Sequence, residues 1–275
     1  MTNRLDTRFA ALRDEGRAAF VAYVMAGDPD LETSFEIVKR LPAAGADVIE
    51  LGFPFSDPMA EGVPIQKASL RALKAGTTFR KVLDLVRRFR AGDATTPIVL
   101  MGYLNILLTH GLARFAADTA DAGVDGLIVV DCPPEEAGPL ADELEKVGIS
   151  LIRLTAPTTD DKRLQTVVKR TSGFVYYVSV AGVTGAKAAS AEAVAPAVAR
   201  IRKASGLPVA VGFGIRTPQL AAEIARVADA AVVGSALVDE IAQALDVNAD
   251  PVSKVMQKAT ALAEAVRSAR SKAEA

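Results

Sequence analysis

Apolar residues along this chain gather into eight short, nearly unbroken runs, each followed by a stretch of helical spacing. The runs cover residues 20–26, 47–53, 97–103, 126–131, 150–155, 174–180, 208–215 and 230–234. Unbroken runs, as opposed to strict alternation, predict strands buried on both faces, which is the pattern of a parallel sheet. Between them the apolar positions recur every three or four residues, as in Phe35, Val38 and Leu41. That period predicts helices over 31–44, 65–75, 79–90, 111–122, 160–171, 191–205, 217–227 and 235–245. A further helix is expected to open at Cys132-Pro-Pro-Glu-Glu, because prolines and acids suit a first turn. Leu5, Phe9 and Leu12 give a short amphipathic helix over 3–16, and 251–273 reads as a C-terminal helix.

Eight strand–helix units in one chain predict a closed (β/α)8 barrel, the TIM barrel, with an open doubly wound sheet as the competing arrangement. The length of 275 residues suits such a barrel, which typically runs to about 250. No linker or change of composition divides the chain, so one domain is expected over 1–275. Residues 1–17 would be an added helix under the barrel, and 250–275 a helical tail.

A barrel gives direction to the chemistry, because functional groups in this fold sit where strands end and the following loops begin. The stretch 45–66, GADVIELGFPFSDPMAEGVPIQ, is the most informative. Glu50 stands inside an apolar strand, where an ionised carboxylate is found only if it is paired or at work. From position alone, a catalytic acid and a carboxylate paired with a buried Arg or Lys are both open readings. Gly52 and two prolines then force a loop carrying Asp57 and Glu61. On the other side, the loops after strands six, seven and eight read AGVTG, GFG and GS. Glycine lets backbone N–H groups approach an anion, and Ser235 opens a helix whose N-terminus attracts negative charge. Together these loops predict a phosphate site, and the lack of a Walker A or GxGxxG pattern argues against a nucleotide. The chemistry expected is proton transfer by acids on a small substrate with a phosphate tail.

Composition narrows the rest. Net charge is −1 with 32 basic and 33 acidic residues and no basic stripe, so nucleic acid is not an expected partner. The single cysteine, Cys132, excludes an internal disulfide and a cysteine-cluster metal site, and it reads as a small buried filler. The single histidine, His110, reads as a surface or capping residue, and no metal site is expected. The polar, amphipathic start is not a signal peptide, and no apolar run reaches the ~18 residues of a membrane span. A cytoplasmic protein is expected.

The segments ELGFPFSDPMAEG, PIVLMGYLN, VAGVTG, GFGI and VGSALV, in this order, closely resemble the tryptophan synthase alpha chain family from about Phe20 to about Leu245. The resemblance implies aldol-type cleavage of indole-3-glycerol phosphate to indole and glyceraldehyde 3-phosphate. It implies Glu50 as the strand-two acid/base and Glu61 as the second catalytic carboxylate, at a position where the family usually has aspartate. Tyr23, Tyr103 and Tyr176 match positions lining the indole pocket, where core packing is the plainer reading. Gly185, Gly214, Gly234 and Ser235 match the phosphate grip, with Phe213 inside its GFG loop, and Thr184 matches the loop-six threonine that meets the strand-two loop on closure. Val180 stands where many members carry arginine, and GVPIQ departs from the usual placement of proline. No cofactor is implied for this chain. Pyridoxal phosphate belongs to a beta-chain partner, expected in an alpha2beta2 heterotetramer. Residues 54–58 would face that partner, with Phe53 and Phe55 as a docking surface. A stand-alone lyase and a non-catalytic phosphate-binding barrel are the alternatives.

Overall fold

The computed structural model describes residues 3–179, 190–212 and 214–270. Its strands are β1 (Ala19–Met25), β2 (Val48–Gly52), β3 (Ile98–Gly102), β4 (Gly126–Val129), β5 (Ser150–Thr155), β6 (Val175–Val178), β7 (Val209–Gly212) and β8 (Ala230–Val233). Each pairs in parallel with the next in chain order, and β8 returns to β1, so the sheet closes into a barrel. The helices are α1 (Arg4–Asp14), α2 (Leu31–Arg40), α3 (Val63–Lys74), α4 (Phe79–Arg90), α5 (Leu104–His110) and α6 (Leu112–Ala122). They continue with α7 (Gly138–Val147), α8 (Asp161–Val168), α9 (Ala191–Ser205), α10 (Pro218–Val227), α11 (Ser235–Asp246) and α12 (Pro251–Ser268).

Both faces of the strands are buried, and the alternation of side chains sorts them into two sets. Val21, Val48, Val99, Ile128, Ile152, Phe174, Ala210 and Ala230 point to the barrel axis and form one apolar cluster. Ile49, Leu51, Leu100, Leu127, Leu151 and Val175 point outward and join the larger cluster under the helices. Glu50 follows Val48 by two positions, so the strand period sends its side chain inward and one layer higher. Leu5, Phe9 and Leu12 of α1 belong to the axial cluster, and Phe9 lies 5.6 Å from Phe174. The N-terminal helix is thus the barrel's bottom plug, as its three apolar residues predict.

Three aspartates close that bottom by the same device. Asp47, Asp125 and Asp229 each stand just before a strand and accept an N–H at the start of its neighbour: Phe20, Ile98 and Val209, all at 2.8 Å. Arginine neutralises each one. Arg8 and Arg17 meet Asp47, Arg4 and Arg90 meet Asp125, and Arg202 meets Asp229. Arg4 and Arg8 belong to α1, so the plug is tied to the barrel by charge as well as by packing.

Three details differ from the sequence reading. Cys132-Pro-Pro-Glu-Glu does not open a helix: the chain turns at 134–136, and α7 begins at Gly138. A residue before proline is kept out of the helical region, so two successive prolines delay the start, and Pro139 takes the early position. Likewise α2 stops at Arg40, short of Ala44: its cap Leu41 is still helical (φ −55°, ψ −40°), and Pro42 has no N–H to continue the hydrogen-bonded run. His110 ends an extra helix, α5, where its Nε2 meets Asp118 at 2.7 Å and its ring packs edge-on to Phe79. Asp125→Ala would leave two arginines and an amide without their acceptor in a nearly dry site. We expect a loss of ~3 kcal/mol, read as a lower urea midpoint, with the opposite face of the barrel unchanged.

Candidate active site

At the other end of the barrel one cavity of ≈ 620 Å³ holds Glu50, Glu61, Tyr23 and Tyr176 together with Gly214, Gly234 and Ser235. The acids and the glycine loops therefore open on one mouth. Met101, Val130, Leu154, Val178 and Val232 supply apolar walls from five different strands or strand ends.

Glu50 is 2% exposed, and its Oε2 is buried with no hydrogen-bond partner. No cation pairs with it among the described residues, so none of them makes it a structural ion pair. Burial pushes its carboxyl up to about 8, with the nearby charge of Glu61 adding to the rise. Glu61 reaches the same cavity from the loop between β2 and α3, and burial pushes it up to about 7. Tyr23 stands opposite Glu50 in the β1–β2 register, and burial holds the phenols of Tyr23 and Tyr176 well above the usual range.

The strand-end glycines serve two different needs. A Cβ on Gly52 would collide with the Tyr23 hydroxyl, and one on Gly212 with that of Tyr176. These two glycines give room to the phenols. Gly214 has φ +78°, which a side chain would strain, and it presents its backbone to the cavity. Gly234 caps α11 without any side-chain acceptor, so the first amides of a twelve-residue helix, beginning at Ser235, face the cavity unfilled. That end of the cavity is chemically suited to an anion.

Tyr103 does not line the cavity. Its hydroxyl accepts the Ala60 N–H at 2.9 Å and its ring stacks on Phe55 at 4.9 Å, so it backs the loop that carries Glu61. Burial, then the charge of Glu61, pushes its phenol up to about 12. Thr184, Gly185 and Phe213, with Val180, lie outside the described residues. Other strand-end polar groups turn out to be structural. Asp28 forms a bidentate pair with Arg71 at 2.7 and 2.8 Å, Asp131 accepts the Leu104 N–H, and Thr155 donates to the Tyr176 carbonyl. Asp57 is exposed and bonded to Ser56. Among the described residues no group of His, Cys, Asp or Glu could hold a metal ion.

Sequence reasoning missed Arg216, the one Arg or Lys among the described residues lining the cavity. It pairs with Asp239 and so ties the loop of Gly214 to α11. Its place just after GFGI was the available signal. Phe53 is also corrected: it is 2% exposed and packs on Phe79 at 5.5 Å, so it forms no docking surface. The exposed apolar residues of this end are Met59 in the loop, Val63 and Leu70 on α3, and Leu108 on α5.

The sequence profile of the tryptophan synthase alpha chain matches residues 9–267. The chain belongs to the tryptophan synthase alpha chain family. It is 70% identical to the tryptophan synthase alpha chain of Phenylobacterium zucineum (strain HLK1), over 99% of this chain and 98% of that one. It is also 70% identical to the one from Caulobacter sp. (strain K31), over 98% of each chain. The crystal structure of tryptophan synthase subunit alpha from Legionella pneumophila str. Paris superposes with a TM-score of 0.91 at 38% identity, over 97% of this chain and 99% of that one. Membership makes this chain a lyase of tryptophan biosynthesis, acting in the alpha reaction that cleaves indole-3-glycerol phosphate. It also implies a beta-chain partner.

The raised carboxyls have a consequence for stability. Folded Glu50 holds its proton up to about 8, whereas in the unfolded chain it ionises near its ordinary value of 4.5. Between those limits the folded state binds more protons, so this group's contribution falls as pH rises. Glu50→Gln is therefore expected to raise the melting temperature. The gain should widen from acid pH up to about 8 and then level off. A variant less stable than the parent at alkaline pH would contradict the burial argument.

Proposed function

We propose that the alpha reaction runs on Glu50 and Glu61, with the substrate stretched from these acids to an anion cradle at Gly214, Gly234 and Ser235. The observation that carries this reading is the shared cavity: a buried, unpaired Glu50 carboxyl and an uncapped helix end open on the same space. Protonated Glu50 gives its proton to indole C3. The resulting carboxylate takes the proton of the glycerol hydroxyl, the carbon–carbon bond breaks, and its electron pair returns to the indole ring. Glyceraldehyde 3-phosphate and indole leave, and Glu50 is again protonated. Glu61 accepts the indole N–H and stabilises the positive ring formed after the first transfer. Tyr23 and Tyr176 pack on the indole, Tyr103 supports it through the Glu61 loop, and Thr184, Gly185 and Phe213 complete the site.

Tight apolar walls favour this chemistry, since a carboxyl at its ordinary value would hold no proton to give at neutral pH. The chain needs no cofactor of its own, and pyridoxal phosphate resides on the beta chain. The two chains form an alpha2beta2 heterotetramer in the cytoplasm, docked on the side of Met59 and Leu108. No described helix is long and apolar enough to cross a membrane.

Glu50→Gln should lower indole release by about 10³-fold or more while glycerol 3-phosphate still binds. Full activity in that variant removes Glu50 from the mechanism. Glu61→Asp should retain more activity than Glu61→Ala; equal losses would mean that the longer side chain is itself required. With one acid needed ionised and the other protonated, kcat should rise through about 7 and fall above about 8. Saturating beta chain should raise turnover, and a rate indifferent to it would identify a stand-alone lyase.

A further inference from the structure

The loop that carries Glu61 is largely exposed at Ser56, Asp57, Met59 and Ala60. Its own backbone supplies only tight turns, Met59 N–H to the Asp57 carbonyl and Glu61 N–H to that of Pro58. What fixes its carboxylate over the cavity must come from outside the loop. Ser69, in the second turn of α3, is wholly buried and is not a cavity-lining residue. Its hydroxyl donates to the Phe55 carbonyl at 2.7 Å and accepts the Phe55 N–H at 2.9 Å. One hydroxyl thus satisfies both backbone groups of a single loop residue, as a neighbouring strand otherwise would.

The tie continues toward the acid. The Phe55 ring stacks on Tyr103, and the Tyr103 hydroxyl accepts the N–H of Ala60, the residue before Glu61. Gln66 of α3 donates its Nε2 to the carbonyl of Glu61 itself at 2.9 Å. Groups on α3 and at the end of β3 therefore hold the loop at its start and at its acid. We propose that Ser69 is a positioning residue for the Glu61 carboxylate, acting through Phe55 and Tyr103 and touching no substrate. The inference rests on the reading of Glu61 as a catalytic carboxylate.

If Ser69 merely filled space in α3, alanine would serve as well, because the two differ by one oxygen. If it positions Glu61, Ser69→Ala leaves two buried backbone groups unpaired, and the loop lifts. A displaced carboxylate loses alignment and gains water. The titratable groups facing Glu61 are Glu50 of β2 and the phenols of Tyr23, Tyr103 and Tyr176, none of them a cation. Hydration therefore lowers its ionisation from about 7 toward the ordinary carboxylate range.

The test is steady-state indole release by the full chain with beta chain present, followed from acid to alkaline pH. Ser69→Ala is expected to lower kcat roughly tenfold with KM changed little, since small misplacements of a catalytic group act on turnover. The acid limb of its pH profile should move to lower pH, and Ser69→Thr, which keeps the hydroxyl, should restore both. In a Glu61→Ala background the same substitution should have no further effect. An unchanged kcat and acid limb in Ser69→Ala, or an equal loss in the Glu61→Ala background, overturns the proposal. Should Ser69→Ala fold poorly, hydrogen exchange at the Phe55 and Ala60 amides of Ser69→Cys decides the matter: faster exchange supports the proposal, and unchanged exchange rejects it. A fully active Glu61→Ala would instead reject the role of Glu61 itself, and the two failures are distinguished by that control.

Discussion

A carboxyl group pointing to the axis of a closed barrel, met by no cation among the described residues, is the constraint around which this molecule is built. Burying an unpaired ionised carboxylate is prohibitively unfavourable, so Glu50 holds its proton instead. In the mechanism we propose, that proton is the reagent of the alpha reaction. The same walls that destabilise the charged form make the acid usable at neutral pH. On that proposal Leu154, Val130, Met101 and Val232 act on the chemistry without touching a proton themselves. A cation near Glu50 would stabilise the fold and, by the same interaction, strip the acid of its proton at neutral pH.

Such a site needs stability from elsewhere, and the opposite end of the barrel supplies it. There each carboxylate that caps a strand has what Glu50 lacks. Asp47, Asp125 and Asp229 each accept a strand amide and meet at least one arginine. The contrast follows from where the groups sit relative to the strands. At the bottom, an amide at the start of a neighbouring strand is capped by an acid. At the top, the strands end in glycines that make room for phenols, as Gly52 does for Tyr23 and Gly212 for Tyr176. The bottom end of the barrel is therefore bound up in hydrogen bonds and ion pairs, and the top end opens on the cavity.

The parts legible in the sequence were those that depend on local period or on a residue type out of place. Strands and helices followed from spacing, and Glu50 announced itself as an acid in an apolar run. The helix α5 escaped because it is only seven residues long and shares Gly111 with α6, so its residues fell unassigned between the strand run ending at 103 and the helix starting at 111. The run Cys132-Pro-Pro misled because proline favours a first helical position only when no second proline follows. Long-range partners were invisible in principle. Nothing local tells that Asp125 meets Arg4 across 121 positions, or that Tyr103 faces a loop and not the cavity. Arg216 was passed over because a cation after a glycine turn has many ordinary uses.

At position 61, backbone anchoring, burial and side-chain length converge on one acid. Its backbone is not free to approach the cavity, because Ala60 is bonded to Tyr103 and the Glu61 carbonyl to Gln66. Gly62 then turns extended as the cap of α3, and proline enters the helix only at Pro64. With the backbone so fixed, side-chain length is the variable that decides whether a carboxylate arrives in the cavity. Glutamate lines it, one methylene further than aspartate would reach from the same anchor. A residue choice at 61 is therefore coupled to the ties behind the loop, and the longer acid belongs with this particular set of anchors.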